Sequence, residues 1–534
     1  MSLSSQDEKT QGNMDDVRIE TKEQSEVEVA QLAANIEKTT SFWQALKDER
    51  KAVFWSMAVS MAIIMEGYDI VLVSSLFAQP AFSQRYGIRV DDGYQIPAPW
   101  QSGLGTAPTI GAIMGAFLNG WLTHKFGYRK VLIVSLAAII AFIFPLFFAP
   151  SLAVLLIGLI LCGIPWGVFA TMAPAYASEI CSLKLRGYLT VYVNLCWALG
   201  QLIAAGVLTG FSNGTTQWAY RIPFAIQWVF PFPLLVLIAF APESPWWLVR
   251  QGRIEDARHS LKRLSSTKAA DKTDDTIALI KHTMQIEAEF EGGSSYMDCF
   301  KGVDLRRTEI ACMVFAAQVW CGSPLGGTPA YFFVQAGLSP NYSFKFSVGG
   351  LGLASIGTIV SWFLISRFGR RTLYVVGLGS LLGLLLLTGI LASVSDSSGS
   401  SYGQAGLVVG WLLIYYLTVG PVCYAIISET SAMRLRNKSV CLSRIAYYIS
   451  QVIGNVIEPY MINPTEAAWH GKTAYFWAGT CLVFFVWAYL RLPETRDRSY
   501  EELDILFESK IKATKFVSTH VDPYAERGER VKAE

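Results

Sequence analysis

Apolar residues in this chain come in long runs separated by short polar breaks. Twelve runs reach about the 20 residues that a helix needs to cross a bilayer: near 53–79, 102–122, 131–149, 152–176, 189–210, 222–241, 310–334, 344–366, 372–393, 405–428, 438–461 and 473–490. Residues 1–52 are polar and acidic-rich, with neither the short apolar stretch nor the cleavage pattern of a secretory signal, so the first span is expected to direct insertion. Polar stretches also fill 242–309 and 491–534. The pattern predicts an all-α membrane protein of twelve transmembrane helices in two six-helix bundles, 53–241 and 310–490, joined by a linker with surface helices.

Charge placement gives the orientation. Lys and Arg gather in alternate loops, at Lys125, Arg129 and Lys130, at Lys184 and Arg186, from Arg250 to Arg307, at Arg367, Arg370 and Arg371, and at Arg434, Arg436 and Lys438. The positive-inside rule makes these loops and both termini cytoplasmic. Two of the opposite loops carry glycosylation sequons, Asn213-Gly214-Thr215 and Asn341-Tyr342-Ser343. In the linker, Ile254, Ala257, Leu261 and Leu264 share one helical face, which is expected to pack on the inner surface of the membrane domain.

Composition agrees and excludes alternatives. The 534 residues are 52% hydrophobic and 16% charged, against roughly 25% charged in soluble domains. Net charge is +2, with no basic block interleaved with aromatics, so no nucleic-acid partner is expected. Nine cysteines without a CxxC pair and five histidines offer no metal site or disulfide framework. With no nucleophile constellation and no Gly-rich phosphate loop, neither an enzyme nor a cofactor is expected.

Short patterns recur about 240 to 250 residues apart, half the membrane domain. Gly127-Tyr128-Arg129-Lys130 returns as Gly369-Arg370-Arg371, Glu179 with Arg186 as Glu429 with Arg436, and Pro242-Glu243-Ser244 as Pro493-Glu494-Thr495. Each lies at a cytoplasmic helix end. Two repeated halves around a central site are a transporter architecture, and the Glu/Arg pairs are expected to latch the cytoplasmic ends together in an outward-open state.

These motifs resemble the sugar-porter branch of the major facilitator superfamily. Leu161 to Gly167 (Leu-Cys-Gly-Ile-Pro-Trp-Gly) with Tyr176, Glu179 and Arg186 is similar to that branch's fourth-helix signature, and Pro242 to Leu248 and Pro493 to Thr495 to its post-helix motifs. Within the branch, Glu66-Gly67-Tyr68-Asp69, Ile164 to Gly167, Tyr176 to Glu179 and the tail segments Lys515 to Thr519 and Val521 to Pro523 resemble the fungal α-glucoside, maltose-type, proton symporters. The resemblance covers roughly 50–510. It implies a multi-pass plasma-membrane carrier, working as a monomer, that moves a maltose-like sugar with protons. Three departures stand out. His124 and Lys125 replace the opening of the family's Asp-Arg-x-Gly-Arg-Arg loop, Ser366 replaces it in the second copy, and Ala112 stands where the maltose permeases carry Glu. A proton-independent carrier and a non-transporting sugar sensor stay open as alternatives.

Charges at bilayer depth cost at least about 2.5 kcal/mol each. Glu66 and Asp69 lie three apart in the first span and are expected to share a face, with Gly67 loosening the helix between them. Arg444, in the eleventh span, is expected to pair with one of them across the centre, so the three form the candidate proton-coupling set. For sugar, the candidates are the amides Asn194, Gln201 and Gln318 and the aromatics Trp197, Tyr424, Tyr447 and Tyr448, with a break in the tenth span at Gly420-Pro421. The candidate cytoplasmic gate is Arg129, Glu179, Arg186, Glu243, Arg370, Glu429, Arg436 and Glu494.

Overall fold

The computed structural model describes residues 42–90, 93–181, 183–265, 273–291, 295–327, 329–394, 397–432, 435–496, 498, 500–521 and 531–533. The first span runs Arg50–Leu76, the second Ala98–Phe126, the third Tyr128–Phe147, the fourth Leu152–Ile180 and the fifth Leu183–Phe211. The sixth is stepped, Trp218–Ile226 then Pro231–Ala239. The seventh is Gly302–Trp320 followed by the short helices Ser323–Gly327 and Pro329–Gln335. The last five are Pro340–Arg367, Arg370–Val394, Ser398–Leu417 with Val419–Thr430, Arg436–Ile462 and Thr473–Arg491.

Ten of these are long and apolar enough to cross a membrane by themselves, and the two exceptions have physical causes. The second span carries Gln101, Pro108 and Thr109 on the cavity wall, and Ser102, Asn119 and Thr123 bonded to neighbouring backbone or side chains. The seventh is interrupted after Trp320, where Gly322 takes φ +102, and again before Pro329. The tenth breaks at Thr418, so that Pro421 falls in the first turn of its second piece, where no backbone N–H is needed.

Helices within a half meet backbone to backbone through small residues, as membrane helices do without a hydrophobic drive. Second and fourth spans touch at Gly111, Gly115, Gly163 and Gly167, and a Cβ added at Gly167 would sit 2.0 Å from the Ala112 carbonyl oxygen. Gly167→Val is therefore expected to cost at least about 1–3 kcal/mol by overpacking, seen as a lower yield of monodisperse protein in detergent. Gly67 has the same use. The first span is an unbroken helix through it, and its Cβ would meet the Trp197 carbonyl at 2.4 Å, so close packing on the fifth span, not helix loosening, is its role.

The linker helix Ile254–Leu264 buries Ala257 and Leu264 against Trp247, Leu248 and the sixth-span end, and Arg263 donates to the Phe240 carbonyl. The polar segment after the twelfth span also packs inward. Tyr500–Glu508 lies on the base of the seventh span, where Arg307 pairs with Asp504 at 2.5 Å and stacks on Phe507.

Hydrogen bonds joining the two halves lie at mid-depth and on the outer side. Tyr331 Oη accepts from Gln95 Nε2 at 2.5 Å and from Gln101 Nε2 at 3.1 Å. Asn463 Nδ2 donates to the Ile96 carbonyl at 2.9 Å, Ser102 Oγ to Val456 at 3.1 Å and Asn455 Nδ2 to Gly105 at 2.9 Å. The outer side is shut. Tyr331→Phe deletes two acceptor contacts worth about 1 kcal/mol each. It is expected to speed labelling of a cysteine placed at Ser102 by an external, membrane-impermeant thiol reagent by up to about 30-fold.

Candidate functional site: a cavity between the halves

Between the two bundles lies a cavity of about 250 Å³ whose wall includes Glu66, Asp69, Asn194, Trp197, Gln201, Gln318, Tyr424, Arg444, Tyr447 and Tyr448. All three candidate coupling residues and all seven candidate sugar residues thus come together. Their partners differ from the expected ones.

Glu66 and Asp69, both buried on the first span, turn to different neighbours. Asp69 Oδ1 accepts from Gln227 Nε2 of the sixth span at 2.6 Å, inside the N-terminal half. Glu66 feels the charge of Arg444, across the cavity. Among the described residues Arg444 makes no ion pair within 4 Å, so the expected direct pairing is not formed. Its guanidinium instead lies 5.0 Å from the ring centres of Tyr447 and Tyr448, 5.5 Å from Phe315 and 5.8 Å from Trp197, with Nη1 3.5 Å from Tyr424 Oη. A planar, weakly hydrated cation stacks readily on π-faces, which solvate it where water is scarce. Trp197 belongs to the other half, so this cage crosses between halves.

The amides are partly committed to structure. Gln201 Oε1 accepts from Tyr416 Oη at 2.8 Å, a bond between halves. Gln318 Nε2 donates to the Gly420 carbonyl at 2.9 Å and so braces the broken tenth span.

Other wall residues escaped the sequence reading: Trp166, Trp411, Gln451, Asn455 and Glu458. A signal was present. Arg444, Tyr448, Gln451, Asn455 and Glu458 follow one another at alternating spacings of four and three, one continuous stripe on the eleventh span. On the same wall Asp69 Oδ2, Trp166 Nε1, Gln451 Oε1 and Glu458 Oε1 are buried without a partner. Unpaired buried polar atoms are costly and native structures hold few. A wall of donors and acceptors interleaved with indole and phenol faces is suited to a ligand with many hydroxyls and apolar ring faces.

At the cytoplasmic ends the repeated motifs form two matching clusters. Glu179 accepts from Tyr128 Oη at 2.9 Å, from Ser244 Oγ and from Arg250 Nη1 at 3.4 Å, and Glu243 from the Tyr128 backbone N–H at 2.9 Å. Glu429 accepts from Arg370 Nη2 at 3.0 Å and Thr495 Oγ1 at 2.5 Å, and Glu494 from the Arg370 N–H at 2.7 Å. Tyr128 thus stands where Arg370 stands in the second half. Arg129 donates to the Ala239 carbonyl, as Arg371 does to that of Tyr489. Burial pushes the Glu243 carboxyl up, against the backbone N–H bonds it accepts. With the outer side shut, these partners lie within one half, so in this state each cluster braces its own bundle; the latch between the halves is expected of the outward-open state. The Arg186 and Arg436 side chains lie outside the described residues.

The chain matches the model for "Sugar (and other) transporter" over residues 55–507. It is 39% identical over 502 residues to a general alpha-glucoside permease of Saccharomyces cerevisiae, spanning 93% of this chain and 81% of that one. To a maltose permease of that yeast, MAL31, it is 40% identical over 504 residues, 93% of this chain and 82% of that one. Among solved structures, the inward open conformation of the xylose transporter XylE from E. coli superposes with a TM-score of 0.67 at 18% identity, covering 84% of this chain and 98% of that one.

Proposed function

The chain belongs to the sugar transporter family, and on that premise we propose that it imports a maltose-like α-glucoside, a di- or oligosaccharide, together with protons by alternating access. It is a multi-pass membrane transporter of the major facilitator fold and not an enzyme. The observation that carries the finer reading is the cavity wall, with two carboxyls in one half, a caged guanidinium in the other and unpaired polar atoms between aromatic faces.

Asn194, Gln201, Gln318, Gln451 and the indole N–H groups bond sugar hydroxyls, while Trp197, Tyr424, Tyr447 and Tyr448 face its rings. Protons reach Glu66 and Asp69 from outside. Neutralising Glu66 removes its attraction for Arg444 across the cavity and frees the halves to rock. The Glu179/Glu243 and Glu429/Glu494 clusters keep each bundle rigid as it moves, with Arg129 and Arg370 among their donors and Arg186 and Arg436 as candidates beside them. The carrier works as a monomer in the plasma membrane with both termini cytoplasmic, bundles 53–241 and 310–490 flanking the linker 242–309, the tails being 1–52 and 491–534.

Uptake of labelled maltose, sucrose, trehalose and glucose in a transport-null host, with and without a protonophore, tests this. Maltose-class uptake abolished by the protonophore is the expected result. Uptake indifferent to it favours a facilitated carrier, and no uptake of any sugar favours a sensor.

A further inference from the structure

Glu458 is a third carboxyl in the cavity wall, outside the coupling set just described. It is 3% exposed and lies about one turn from the outer end of the eleventh span, which ends at Ile462. Its Oε2 accepts a 2.6 Å bond from Trp477 Nε1 of the twelfth span, and its Oε1 is buried without a partner. An indole supplies one N–H and no charge, and among the described residues no cation lies within ion-pair range. An ionised carboxylate in such a place is strongly disfavoured, whereas a carboxylic acid is tolerated.

The surroundings are those of the outer seal. The same stretch of helix supplies Asn455 and Asn463 and the Val456 carbonyl, which bond Gly105, Ile96 and Ser102 of the N-terminal half. Tyr331, which accepts from Gln95 and Gln101, feels the charge of Glu458. The elements packed on this helix also carry Cys321, Tyr424, Tyr475 and Cys481, and the turn before the twelfth span carries His470 and Lys472. On its own helix are Tyr460 and Arg444, the latter 14 residues inward, about 21 Å along the axis. When the outer ends part, the seal contacts break and water reaches this wall, where the carboxylate is the favoured form.

We propose that Glu458 is a proton-binding residue of the outer gate: its carboxylate takes up a proton from the external medium to become a carboxylic acid as the outer ends close, and returns it to that medium as they open. The inference rests on the alternating-access reading above. Because the proton enters and leaves on one side, it sets how closure depends on external pH without adding to the protons moved per sugar.

The test needs no sugar. A cysteine at Ser102 is labelled from outside with a membrane-impermeant thiol reagent over mildly acidic to mildly alkaline external pH, with Glu458 intact and with Glu458→Gln. The intrinsic pH dependence of the thiol is common to both. Alkaline pH is expected to raise labelling with Glu458 intact, by up to about tenfold per pH unit relative to Glu458→Gln, because the amide stays neutral and the gate stays shut. Parallel pH profiles overturn the proposal. Trp477→Phe is the second variant, decisive if Glu458→Gln does not reach the membrane. Loss of the indole donor disfavours the carboxylate, so the rise moves to higher pH, and an unmoved profile overturns the proposal. Failure of proton coupling itself is read separately, as sugar uptake without proton movement, and leaves the labelling result standing.

Discussion

Replacing Glu66 by Gln and Asp69 by Asn together is expected to abolish accumulation of sugar while leaving exchange of sugar across the membrane. One proton moving with each sugar down about 100 mV contributes about 2.3 kcal/mol, which sustains roughly 50-fold accumulation. Without a protonatable group in the first span that linkage disappears and the inside concentration stops at the outside one. Exchange persists because the two amides keep the shape of the wall, the Gln227 contact of Asp69 included. Accumulation ratios and counterflow in energised vesicles check this. A double variant that still concentrates sugar rules out these two carboxyls as the coupling groups.

The second large effect is at Arg444. Its charge is solvated by the faces of Tyr447, Tyr448, Phe315 and Trp197 rather than by a carboxylate. Each such contact contributes about 0.5–2 kcal/mol, so Arg444→Ala is expected to lower sugar uptake at least about 30-fold at equal protein level. Arg444→Lys should recover little, since an ammonium on a flexible stem cannot lie flat among four rings. Initial rates normalised to membrane-inserted protein decide it. A lysine variant with wild-type uptake would mean that only a point charge is needed.

The spans were readable because each crossing needs a run of fixed length, and the run survives any arrangement of the helices. Where a helix serves the cavity the rule weakens. The second span holds Gln101, Pro108 and Thr109 on the cavity wall, and the seventh is broken at Gly322. The glycines and Pro329 of that break were visible, but periodicity alone reads the stretch as one helix.

The site was readable to the level of which residues face inward. A charge in a membrane helix must leave the lipid, so Glu66, Asp69 and Arg444 declare themselves. Partner choice did not follow. Opposite charges invite an ion pair, yet aromatic faces solvate Arg444 and Gln227 holds Asp69, neither of which sequence spacing reveals. Gly67 misled for a related reason, since a glycine between two acids reads as flexibility when its use is to admit the Trp197 backbone. Glu458 was overlooked because it lies near the end of an apolar run, although its place on the Arg444 stripe marks it.

The Glu/Arg repeats show a similar division. Their symmetry was evident from the chain, and the clusters around Glu179 and Glu429 share it down to the hydroxyl donors Ser244 and Thr495. That they tie helices within a half while the outer side is shut required three dimensions.

The central claim is that sugar and proton pass through this cavity together. Its most direct test is purified protein in vesicles without an imposed pH gradient, with maltose added outside and internal pH recorded beside labelled sugar entry. Internal acidification in fixed proportion to maltose, absent in the Glu66→Gln, Asp69→Asn variant, is the predicted result; maltose entry with no change in internal pH would contradict it.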